Sequence, residues 1–176
     1  RELGELEGAG GEVVGFGRMR RAFEQFRIEV TQHAAEADDL AARTFEFSEF
    51  LVRKLGVTDV GAKFAKKVTY HDGCHALREL RLKEEPRQLL RAVRGLELIE
   101  SEEGETCCGF GGLFSAKFPM ISTAMVQVKG GALVRTGADF VVSSDPSCLL
   151  QIGGWLSREG KPILPLHIAE VLANDA

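Results

Sequence analysis

The sequence predicts an α/β domain, a mainly parallel sheet with flanking crossover helices, preceded by an N-terminal helical segment. Three observations carry that prediction. After Lys66, short apolar runs alternate with stretches of helical periodicity, as strands joined by crossover helices do. Hydrophobic residues make up 44% of the 176 and charged residues 27%, the balance of a globular chain rather than a disordered one. The four cysteines fall just beyond the ends of the expected strands. The expected organisation is an irregular and helical extension over 1–35 followed by the α/β domain over 36–176.

The elements follow in order. Glycines 8, 10, 11, 15 and 17 break both helical and strand periodicity, so the chain is expected to begin irregularly. They do not form a dinucleotide-binding fingerprint, because counting from Gly8 puts Val13 where the third glycine belongs, and no strand precedes it. Met19, Phe23, Phe26 and Val30 recur at helical spacing and predict a first helix. A second carries Leu40, Phe47, Phe50, Leu51 and Leu55, with Asp38 or Asp39 as N-cap and Gly56 at its end. Strands are expected near Val68–His71, Leu96–Ile99, Phe140–Ser143 and Ile163–Leu164. Helices are expected near Pro86–Val93, Pro119–Val134, Pro146–Ser157 and His167–Ala173. Gly130 and Gly131 predict a bend in the long helix or a close approach to a neighbour.

Charge and hydropathy narrow the function. With 26 acidic against 22 basic residues the net charge is −4, and Arg18, Arg20 and Arg21 are too few for a nucleic-acid stripe. No apolar run approaches the roughly 18 residues of a membrane span, and no charged start with an apolar core marks a signal peptide. The chain is expected to be cytoplasmic, without a membrane span or a nucleic-acid partner. No Ser-His-Asp order or H-E-x-x-H run supports hydrolysis.

Four cysteines are too few for a disulfide scaffold, and a cytoplasmic compartment keeps ordinary thiols reduced. Cys74 follows the first expected strand of the α/β region, Cys107 and Cys108 the second, and Cys148 the third. Loops beyond the carboxyl ends of parallel strands converge, so the four sulfurs are expected to meet at one sheet edge. Asp145 and Pro146 read as N-cap and first helical residue, which puts Cys148 in a first turn where free amides favour a thiolate. Gly109, Phe110, Gly111 and Gly112 leave room for backbone N–H groups near sulfur. Four thiolates from scattered loops suit a [4Fe-4S] cluster held by Cys74, Cys107, Cys108 and Cys148. Zinc stays open as an alternative although no C-x-x-C pair is present. A structural zinc-binding interaction module and a metal-free dithiol oxidoreductase using Cys107 and Cys108 are the competing functions.

Around the cysteines, His71, His75, Gly109 and His167 are candidate second-layer groups. A histidine there would ligate metal, hydrogen-bond a sulfur or carry a proton. Asp72 is expected to cap the next helix, and Arg78 to balance negative charge or lie in solvent. Phe110, Phe114 and Phe118, four residues apart, would form either a lid over the site or part of the core.

The runs Tyr70-His71-Asp72-Gly73-Cys74-His75, Thr106-Cys107-Cys108-Gly109-Phe110-Gly111-Gly112, Cys148 and His167-Ile168-Ala169-Glu170 resemble the cysteine-rich (CCG) domain proteins, most of all their lactate-utilization type. The similarity runs from about Ala41 to Ala173. It implies an iron-sulfur, electron-transfer subunit of an L-lactate dehydrogenase-type oxidoreductase complex. Partner subunits would carry further clusters, and the substrate chemistry would lie on one of them. Two departures stand out. In the heterodisulfide reductase type the last cysteine begins a C-x-x-C, whereas here the residue three beyond Cys148 is Gln151, which argues against a five-thiolate cluster. Residues 1–35 hold no cysteine, where lactate-type members usually carry another cysteine-rich half, as expected of a truncated or divergent chain.

Overall fold

A computed structural model describes residues 34–175. The first expected helix and the glycine-rich start lie outside the described residues. Helix α1, Ala34–Ala42, belongs to a unit that ends at Phe45. Everything from Glu46 onward is a second compact unit, the α/β domain. The single helix expected over Leu40–Leu55 is two, because the Glu46 carboxylate accepts the amides of Ser48 and Glu49 and starts a new helix there. That helix, α2 (Phe47–Glu49), continues as a π-helical segment, Phe50–Lys54.

The sheet has four strands, all parallel: β1 (Lys67–Tyr70), β2 (Glu97–Leu98), β3 (Phe140–Ser143) and β4 (Leu164–His167), in the order β2-β1-β3-β4. Val68 lies opposite Phe140, and Phe140 opposite Leu164. The helices are α3 (Glu84–Ala92), α4 (Leu113–Lys117), α5 (Pro119–Arg135), α6 (Pro146–Arg158) and α7 (Ile168–Leu172). The short α4 and a π-helical segment at His75–Glu79 carry too little periodicity to be read from sequence. β4 runs through Pro165, as an edge strand can.

Alternation along the strands divides the core in two. Val68, Tyr70 and Val142 pack with Leu89 and Leu90 of α3 and with Ile168, Val171 and Leu172 of α7. Val141 packs with Val126 and Leu133 of α5 and with Ile152, Trp155 and Leu156 of α6. The chain leaves β1 toward β2 and leaves β3 toward β4, in opposite directions. The crevice between their carboxyl ends is therefore the switch point where open α/β sheets bind ligands. Among the described residues no helix is long and apolar enough to cross a membrane.

Helix α5 runs unbroken through Gly130 and Gly131. Gly130 is a contact: a Cβ there would stand 2.1 Å from the Trp155 ring of α6, whereas one on Gly131 would meet only the Arg135 guanidinium, at 3.6 Å. Gly130→Ala is therefore expected to lose about 1–3 kcal/mol in urea unfolding through overpacking. Gly131→Ala is expected to be neutral or to gain about 0.5–1 kcal/mol from helix propensity. Equal effects would show that the α5–α6 approach does not limit packing.

Candidate metal centre

The four sulfurs are positioned by three strand ends. The ladder between β1 and β3 extends one residue beyond β1, where the His71 N–H donates to Val142 O at 2.8 Å. Three residues later Cys74 opens the π-helical segment, with Gly73 packed so closely on Asp145 that a Cβ there would stand 3.1 Å from the Asp145 Cβ. Past β3, Asp145 caps α6 as predicted, accepting the amides of Ser147 at 2.9 Å and Cys148 at 3.2 Å, with Pro146 leading the helix. Burial pushes the Asp145 carboxyl up, but the bonds from Ser147 and Cys148 outweigh it and hold the group below its ordinary range.

Cys107 and Cys108 sit in the long loop after β2, and this loop is fastened at three points. At its start Glu100 takes Arg87 of α3, at 2.8 and 3.0 Å. In its middle the carbonyls of Glu103 and Gly104 accept the Lys129 ammonium from α5. Beyond the cysteines Gly109 O accepts Ser122 Oγ at 2.7 Å, and Ser122 Oγ accepts Gln151 Nε2 at 2.9 Å. Gly109 has φ +84°, and a Cβ on it would meet Ser122 O at 2.8 Å and Met125 Cβ at 2.9 Å. Only glycine combines that backbone with that approach to α5. Its N–H points back to Cys107 Sγ at 3.4 Å. Gln151, at the position of a missing fifth cysteine, thus secures the loop that carries the adjacent pair.

All four cysteines line one pocket of about 200 Å³, together with His75, Phe110, Gly111, Gly112, Asp145 and Ser147. The sulfurs in contact are Cys108 and Cys148, 3.3 Å apart, rather than the sequence neighbours Cys107 and Cys108. The hydrogen bond between the two sulfurs pushes their pKa values apart: Cys108 falls below an ordinary thiol, with His71 and the Phe110 amide also favouring its thiolate, and Cys148 rises through the same bond and through burial. Cys74 is raised by burial and then by the negative charge of Cys107 and Cys108. A metal centre would displace the thiol protons, so that its binding would release them to solvent.

His71 is 1% exposed, and neither ring nitrogen has a hydrogen-bond partner. Its ring, Cys108 Sγ and Cys148 Sγ all lie within 4.8 Å of one another. Burial pushes its pKa down, and the positive charge of Lys129 adds to the fall, against the neighbouring Cys108, which raises it; the ring is therefore neutral and lies beside Cys108 and Cys148. A buried imidazole beside converging thiols is a donor set suited to a metal ion or metal cluster.

The other candidates are placed differently. His75 is exposed and pairs with Glu79 at 3.2 Å. His167 caps α7: its Nδ1 accepts the Ala169 amide at 3.2 Å, and its Nε2 meets Ser144 O at 3.1 Å. It ties the loop before Cys148 to α7 and does not line the pocket. Asp72 is not a helix cap. Its buried carboxylate takes both terminal nitrogens of Arg87 at 2.8 Å, because a buried anion needs a full countercharge. Arg87 thereby clamps the loop after β1 to the loop after β2. Arg78 is exposed. Phe110 lines the pocket, while Phe114 and Phe118 lie against each other with ring centroids 5.6 Å apart. Sequence reasoning missed Arg87, Lys129 and Ser122; each occupies a position on the buried stripe of its helix, which was the available signal.

Comparison with known proteins places this geometry among relatives. Residues 68–153 match the family model described as cysteine-rich domain, CCG. The chain is 51% identical to lactate utilization protein A of Shouchella clausii (strain KSM-K16), over 77% of this chain and 57% of that protein. It is 48% identical to the protein of the same name in Lysinibacillus sphaericus (strain C3-41), over 79% of this chain and 61% of that one. Against the uncharacterized protein YkgE of Escherichia coli (strain K12) the identity is 43%, over 88% and 64%. The matched region thus spans less than two thirds of each relative's length.

Two substitutions test how the loops are fastened. Gly109→Ala is expected to cost about 1–3 kcal/mol through backbone strain and overpacking, and to reduce metal bound per chain. Arg87→Met, which strands the buried Asp72 carboxylate, is expected to cost about 3–5 kcal/mol in urea unfolding. Wild-type stability in either variant would show that the corresponding fastening does not hold the loop.

Proposed function

Residues 68–153 of this chain belong to the cysteine-rich (CCG) domain family, and on that premise we propose that the protein is an iron-sulfur electron-transfer component binding one [4Fe-4S] cluster through Cys74, Cys107, Cys108 and Cys148. The observation that carries the reading is the pocket: four thiols from three strand ends line one space, the full ligand set of a [4Fe-4S] cluster. The identity to proteins named for lactate utilization supports a role in L-lactate oxidation, within a complex whose other subunits supply further redox centres and the substrate chemistry.

A bound cluster would supply reversible one-electron chemistry at a potential set by its surroundings. The chain's own residues provide those surroundings. The capped start of α6 turns amides and the positive end of its dipole toward Cys148. The Gly109 N–H faces Cys107 Sγ, and the His71 ring is available to a sulfur or to the metal itself. Phe110 shields the pocket from water on the side of the second core cluster. Cys74 and Cys107 are only half-buried, so this edge is where an electron would enter or leave.

One observation favours a second reading. His71, Cys108 and Cys148 are gathered as tightly as the ligands of a single ion, and a fourth thiol from Cys74 or Cys107 would complete a structural zinc site.

Purification without oxygen followed by metal analysis separates the two. The proposal expects about four iron and four sulfide per chain, with Cys74→Ser and Cys148→Ser each losing most of both. Stoichiometric zinc without iron would overturn it.

A further inference from the structure

Lys129 lies in the middle of α5 and is 0% exposed, the largest buried cationic side chain apart from the paired Arg87. Its ammonium donates to Glu103 O and, at 2.7 Å, to Gly104 O. Among the described residues it makes no ion pair, whereas Arg87 is matched by Asp72 and Glu100. Burying an ammonium against carbonyls alone is expensive. A methionine or leucine would fill the same stripe between Val126 and Leu133 without that cost. The anionic groups that face it are Asp72, which shares Arg87 with Glu100, then Cys108, Glu103 and Cys148. Two of these four are sulfurs of the pocket, so the metal site is part of its countercharge.

Resting on the cluster reading above, we infer that Lys129 is a positioning residue that balances the negative charge of the metal centre and raises its reduction potential. Two features of its position support this. It comes from the helix against which Gly109 packs, so its charge is held at a fixed place relative to the adjacent cysteines. It also grips the loop that carries them, so the same side chain sets both the loop's position and the field within it. Burial pushes its pKa down to about 8, which leaves it charged at neutral pH, and low-dielectric surroundings strengthen its effect on the sulfurs. A cation near a cluster stabilises the more negative, reduced form, so its removal disfavours reduction.

The test is a mediated redox titration, followed by electron paramagnetic resonance, of anaerobically prepared wild type, Lys129→Met and Lys129→Arg. Lys129→Met is expected to hold an electron about tenfold less well, a shift of about 59 mV to lower potential for a one-electron couple. Lys129→Arg is expected to stay near wild type. Loss of iron in Lys129→Met with retention in Lys129→Arg also supports the inference, because charge rather than shape is then required. Loss in both, or full iron in both with unchanged potential, overturns it. A wild-type protein without iron removes the cluster reading and this inference with it, whereas iron-loaded wild type with an unmoved Lys129→Met potential removes this inference alone.

Discussion

The parallel pairing of β1 with β3 is the constraint on which the sulfur pocket depends. With Val68 opposite Phe140, the two strands end side by side and the chain leaves them in opposite directions. The crevice left between them is bounded by Cys74 on one side and Cys148 on the other. No local motif could bring these two residues together, since only the sheet register relates them. The second consequence is chemical: a strand's carboxyl end feeds a helix start, so Cys148 meets free amides and a carboxylate cap in one turn.

The loop after β2 has no such fixed geometry of its own, and it is held from outside. Arg87, Lys129 and Ser122 reach it from two helices on opposite faces of the sheet, and Gly109 lets it lie flat on α5. These groups share a pattern. Each spends a buried polar side chain on a loop backbone or carboxylate, a cost that helix stability alone would not repay. The return is a pair of adjacent cysteines with one sulfur turned toward Cys148 and the other toward a backbone amide.

The parts of this arrangement that are written in local sequence were readable there. Alternating strands and helices gave the parallel α/β architecture, the Asp145-Pro146 start placed Cys148 in its first turn, and of the bend or close approach expected at Gly130 and Gly131 the close approach is present, at Gly130 alone. The divided helix around Glu46 was not readable, because an apolar stripe continues across the break while one carboxylate restarts the helix. Asp72 was misread for a related reason. Its sequence neighbours suit a cap, but its partner Arg87 lies fifteen residues away and meets it only once α3 packs against β1. Lys129 carries no sign in the local sequence of its place on the buried face of α5. Long-range charge pairing carries no local signature, which is why the sulfurs were easier to find than the groups that hold them.

X-ray absorption at the iron edge of the oxygen-free protein is the most direct measurement of whether these four thiols enclose an inorganic core. A first shell of sulfur alone with an iron neighbour beyond it is the expected spectrum. An isolated metal ion with mixed sulfur and imidazole nitrogen ligands would contradict it and assign the pocket to His71, Cys108 and Cys148 instead.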